Sequence, residues 1–121
     1  MILADTSVWI HHFRESNETL VRLLEMNQVA IHPHIIGELA CGNLKNRKEA
    51  ILDLEILPRT AVPGYNDVMD FIDKYKLYGN GIGFVDVNLL ASCSHSEALL
   101  WTMDLRLRKI AIDLEIGFKE T

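Results

Sequence analysis

No stretch of this 121-residue sequence comes near the roughly 18 consecutive apolar residues that a membrane-spanning helix needs, so no membrane partner is expected. The opening Met1-Ile2-Leu3-Ala4 has no basic segment before it, and an acid arrives at Asp5, which does not fit a secretory signal. A soluble, cytoplasmic protein is the expectation. Cysteine is nearly absent: Cys41 and Cys93 stand far apart, without metal-binding spacing. That argues against a disulfide framework and predicts reduced, partly buried thiols. The glycines between Gly79 and Gly83 are not followed by Gly-Lys-Ser or Gly-Lys-Thr, so no phosphate-cradling nucleotide loop is expected there. Repeats, linkers and low-complexity stretches are missing too. What remains is an ordinary globular composition, 49% hydrophobic and 24% charged, which predicts one domain with a single core across residues 1–121.

Basic residues are in the minority. Twelve Lys and Arg face 17 Asp and Glu, a net charge of −5, whereas a nucleic-acid partner favours a basic surface. The balance shifts if four acids serve as metal ligands, because 13 acids then face 12 bases. Two basic clusters stand out: Lys45, Arg47 and Lys48, then Arg106, Arg108 and Lys109. Each is compatible with a track for phosphates and with a solvated helix face.

Short apolar runs alternate with helical patterns. Met1–Ala4, Val29–Ile31 and Ala98–Met103 read as strands, with Thr60–Val62 and Ile116–Phe118 as two further short ones. Helices are expected from Asp5 to about Phe13, from Asn17 onward with Leu20, Leu23 and Leu24 inward, and from Pro33 to Gly42. Others are expected over Arg47–Leu57, over Asn66–Lys76 with Val68, Met69, Ile72 and Tyr75 inward, over Phe84–Ser94, and after Asp104 with Leu107, Ile110, Ala111 and Leu114 inward. The alternation predicts an α/β domain with a mainly parallel sheet and helices on both faces.

In an open parallel sheet, ligands bind beyond the carboxyl ends of the strands. Asp5 follows the first strand and Asp104 the fourth, and each also precedes a helix, where an acid is a natural cap. If the two strands are neighbours, both carboxylates face one crevice and repel each other. A divalent cation relieves that repulsion, and hard cations prefer oxygen ligands. Glu38 interrupts the apolar helical stretch Ile35–Ala40, and Asp86 falls in the first turn of the helix after Gly83. Taken singly, these two read equally well as a solvated face and a helix-dipole partner.

Taken together, four segments resemble the PIN-domain nucleases, and among them the VapC-type toxins of bacterial and archaeal toxin–antitoxin pairs. They are Asp5-Thr6-Ser7-Val8-Trp9-Ile10, Ile36-Gly37-Glu38-Leu39, Gly81 through Ser92 around Asp86, and Trp101-Thr102-Met103-Asp104-Leu105-Arg106-Leu107. All four occur in the family's order and span nearly the whole chain. The resemblance implies a three-layer α/β/α fold and cleavage of single-stranded or looped RNA dependent on Mg²⁺ or Mn²⁺. It also implies a cognate antitoxin that blocks the site, and a homodimer.

On this reading Asp5, Glu38, Asp86 and Asp104 form the catalytic and metal-binding set, with Ser7 and Thr102 supporting the carboxylates by hydrogen bonds. Two other readings compete. A phosphatase of the haloacid-dehalogenase kind also places Asp after its first strand, but wants a second Asp two residues later, where Ser7 stands. A metal-stabilised regulatory binding partner without catalysis would keep the same acids. Among other residues, His11 and His12 diverge on one helix, and His32 and His34 flank Pro33 without zinc spacing, so core or surface histidines are expected. Trp9 and Trp101 are expected in the core rather than stacked on bases. Phe13, Leu20 and Leu24 are read first as core residues and second as an antitoxin or dimer surface.

Overall fold

The computed structural model describes residues 1–120; the expected domain span runs one residue further, to Thr121, outside the described residues. Three strands form the sheet: β1 (Ile2–Ala4), β2 (Val29–Ala30) and β3 (Leu99–Trp101). Seven helices surround it: α1 (Thr6–Glu15), α2 (Glu18–Glu25), α3 (Pro33–Ala40), α4 (Arg47–Ile56), α5 (Tyr65–Tyr75), α6 (Phe84–Ser96) and α7 (Leu105–Asp113). The strand order is β2-β1-β3, all parallel, with Ile2 opposite both Val29 and Leu99 and Ala4 opposite Trp101. This is a three-layer α/β/α arrangement. The central strand is buried throughout, as it must be when helices cover both faces of a sheet.

Local chemistry sets the boundaries. Asp5 ends β1 by turning its carboxylate onto the Val8 N–H and capping α1. Asn17 does the same for α2 through the Leu20 N–H at 3.0 Å. Pro33 opens α3, where its missing N–H costs nothing. The core is the shared product of these elements: Leu3, Val8, Leu20, Ile35, Leu90 and Leu100 are all 1% exposed or less.

Two expected strands shrink to single bridges, both parallel and one at each edge of the sheet. Beside β2, Ile31 pairs with Arg59, its N–H donating to Pro58 O and its carbonyl accepting from Thr60 N–H. The ladder then stops because the next donor along that strand would be Pro33, which has no N–H and opens α3, while Ala61 N–H, on the other side, donates to Ser96 Oγ at 2.7 Å. Thr60–Val62 is therefore not a strand. Beside β3, Leu100 pairs with Gly117 alone, so Ile116–Phe118 is also a bridge rather than a strand. On α5 the inward stripe is Val68, Phe71 and Ile72; Met69 and Tyr75 are exposed, and Tyr75 stacks on Phe71 with ring centroids 4.8 Å apart. Val68 and Ile72 face inward as expected, and Phe71 takes the inward place expected of Met69 and Tyr75. Cys93 is buried but Cys41 is exposed, not partly buried. Leu20 is core, Leu24 half-buried and Phe13 exposed. Among the described residues no helix is long and apolar enough to cross a membrane.

Candidate active site

The site grows from the carboxyl ends of β1 and β3. Because Ala4 lies opposite Trp101, the residues that follow, Asp5 and Thr102, come side by side, and Asp5 N–H donates to Trp101 O at 2.9 Å. Asp5 is buried at 6% exposure. Its carboxylate accepts from the Ser7 and Thr102 hydroxyls and from the Val8 N–H. Burial still outweighs these donors and raises its pKa above the usual carboxylate value.

Ser7 and Thr102 each do two jobs. Ser7 donates to Asp5 Oδ1 and accepts from Met103 N–H at 2.9 Å. Thr102 donates to Asp5 and accepts from Asp104 N–H at 3.1 Å. The two hydroxyls thus tie the end of β1 to the turn that carries Asp104. Asp104 Oδ1 caps α7 by accepting from the Arg106 and Leu107 N–H groups at 2.9 and 3.1 Å. Capping and site membership are compatible here, because one oxygen serves the helix and the exposed carboxylate retains the other.

Glu38 and Asp86 arrive from α3 and α6. Glu38 is exposed, and its Oε1 accepts from the Thr6 hydroxyl at 2.6 Å. Thr6 directly follows Asp5, so it links the second acid to the first. Sequence reasoning treated Thr6 only as a possible cap; its place beside an acid at a strand end was the available signal. Asp86 is half-buried, and its Oδ2 accepts from Gly83 N–H at 3.2 Å. Its pKa is raised, first by burial and then by repulsion from Asp104 and Glu38, against the pull of the Gly83 amide. Asp86 therefore feels the charges of two acids from other elements, while Asp5 is the chain neighbour of Thr6, whose hydroxyl holds Glu38.

The donors are all oxygens, which suits a hard divalent cation. Among the described residues no three His, Cys, Asp or Glu side chains stand close enough to grip one metal together. An open cleft of about 560 Å³ runs past Glu38, with Arg14 and Lys45 as its cations and Ile10 and Phe13 on its apolar wall. The histidines are elsewhere employed. His32 is fully buried, its Nδ1 accepts from His34 N–H at 3.0 Å, and burial lowers its pKa to about 4. Trp9 and Trp101 are core residues at 4% and 2% exposure.

With this geometry in place, comparison with known proteins identifies the class. The chain matches the PIN domain over residues 2–113. It is 39% identical to Ribonuclease VapC32 of two Mycobacterium tuberculosis strains, over 99% of this chain and 98% of that protein. Two solved structures share the fold. FitAcB from Neisseria gonorrhoeae superposes with a TM-score of 0.62 at 19% identity, covering 97% of this chain and 95% of that one. PAE2754 from Pyrobaculum aerophilum gives 0.60 at 15% identity, covering 90% and 78%. The chain belongs to the PIN-domain family, and within it to the VapC-type ribonucleases. That membership sets the haloacid-dehalogenase reading aside, and PIN-domain ribonucleases as a group depend on divalent metal.

Proposed function

We propose that this chain is a Mg²⁺- or Mn²⁺-dependent endoribonuclease, the toxin of a VapBC-type pair, with Asp5, Glu38, Asp86 and Asp104 as its catalytic and metal-binding set. The carrying observation is that β1 and β3 lie side by side, so that Asp5 N–H meets Trp101 O and Ser7 joins the Asp5 carboxylate to the turn that carries Asp104. The charges of Asp104 and Glu38 add to burial in raising the proton affinity of Asp86, which supports a shared oxygen-ligand site.

A bound divalent cation would supply an acidified water and charge relief for the phosphate oxygens. Asp5, Asp104, Asp86 and Glu38 would hold it, and one of the four would orient the attacking water as a base. Ser7 and Thr102 fix the Asp5 carboxylate, and Thr102 also holds the Asp104 backbone, so that both acids keep their aim during the reaction. The substrate is RNA, a cognate antitoxin covers the site, and the protein works in the cytoplasm as a homodimer built from a single domain over 1–121. The name of the 39%-identical relative supports the ribonuclease and its antitoxin.

Purified, antitoxin-free protein incubated with total RNA is expected to cleave it with Mg²⁺ or Mn²⁺ and not with chelator. Asp5→Asn is expected to lower that cleavage by about a hundredfold or more while circular dichroism stays parental. A folded Asp5→Asn protein that cuts at the parental rate sinks the site assignment. Tight antitoxin binding with no metal-dependent cleavage of any RNA would favour the regulatory partner instead.

A further inference from the structure

We infer that Arg106 is the residue that grips an RNA phosphate beside the four carboxylates; this rests on the ribonuclease reading and adds a specific contact to it. The two basic clusters are not equivalent once folded. Arg47 spends its Nε–H on Ala40 O at 3.1 Å, and Lys109 is paired with Asp113 at 2.9 Å. Arg106 forms no ion pair among the described residues. Its guanidinium nevertheless has a defined seat. It lies over Gly81, so closely that a Cβ added there would meet Nη1 at 2.5 Å and Cδ and Cζ at 3.3 Å. Gly81 has φ +79°, a backbone conformation that favours glycine, and the bare Cα leaves the space in which the arginine rests.

That seat joins the two acidic segments. Arg106 is two residues past Asp104, and its own N–H donates to Asp104 Oδ1. Gly81 is two residues before Gly83, whose N–H holds Asp86. The guanidinium therefore bridges the loop leading to one acid and the helix that starts at the other, without neutralising either. Its position also runs against helix electrostatics. A cation in the first turn of α7 opposes the dipole, and the carboxylate that offsets it is the Asp104 cap itself. A planar, pre-seated fork of donors beside a carboxylate set fits a phosphodiester oxygen bidentately. The ligand is thus the backbone of an RNA strand, at or next to the scissile phosphate.

Binding of a fluorescein-labelled single-stranded RNA is measured by anisotropy across a salt series, in the Asp5→Asn background with Mg²⁺. Adding Arg106→Ala is expected to weaken binding and to lower the log–log salt slope by about 0.7, the value for one lost contact to a single strand. Arg106→Lys is expected to keep the slope and recover part of the affinity. Lys109→Ala, which removes a cation already paired with Asp113, is expected to leave the slope unchanged. An unchanged slope in Arg106→Ala, or an equal drop in Lys109→Ala, overturns the inference; parental cleavage then still upholds the ribonuclease. Absence of both RNA binding and parental cleavage overturns the two together.

Discussion

His32 shows how a residue outside the chemistry can govern stability. It caps α3 through Nδ1, which must be unprotonated to accept the His34 N–H. Burial pushes its pKa from 6.5 down to about 4, helped by His34 and Arg59. A depressed pKa on a base means that its stabilising contribution is full above pH 6.5. It is lost as pH falls through the interval to about 4, because the unfolded chain takes up the proton first. The loss across that interval is about 3 kcal/mol. Urea melts at pH 7 and pH 4.5 are expected to show it in the parent and much less of it in His32→Gln. Equal pH dependence in the two proteins would show that His32 is not the cause. At the same scale, Asp5 and Asp104 were legible from sequence because an acid at a strand end needs only the order of the chain. Glu38 was legible only through the family resemblance of its segment, since nothing local distinguishes a solvated glutamate from one that accepts from Thr6, 32 residues away.

Among the elements, the edges of the sheet were harder to read than its centre. β1 and β3 are apolar, helix-flanked runs, and their placement follows from burial on both faces. Thr60–Val62 has the right composition for a strand, but its pairing is cut short because the neighbouring strand ends at Pro33, which has no N–H to donate and starts α3. At the other edge, Gly117 sits so close to α7 that a Cβ would meet Ile112 N at 2.8 Å and Ile112 Cα at 3.0 Å. Gly117→Ala is therefore expected to push this segment off the sheet and cost about 1–3 kcal/mol. Hydrogen exchange of the Phe118 amide, which donates to Leu100 O at 2.8 Å, checks it. Exchange as slow as in the parent would mean the edge tolerates the methyl group.

For the whole molecule, the net charge of −5 includes the four carboxylates proposed as the site. A cation bound there stabilises the native state only, so Mg²⁺ or Mn²⁺ is expected to raise the melting temperature, above Kd, with the logarithm of its concentration. The gain is about 2.7 kcal/mol at a hundred times Kd. Differential scanning fluorimetry of the parent and of Asp86→Asn with Asp104→Asn tests this; an equal metal response in both would place the cation elsewhere. The sequence by itself determined the α/β class, the order of the elements, the caps and the four acidic segments, because periodicity, capping chemistry and motif order are local. Only the tertiary structure decided that Ser7 and Thr102 tie two strand ends together, that Asp104 and Glu38 repel Asp86, and that the Arg106 guanidinium lies over Gly81. Those relations join residues from separate elements, and such distances exist only once β1 and β3 lie side by side. The four carboxylates were readable as a list; their coupling is a property of the fold.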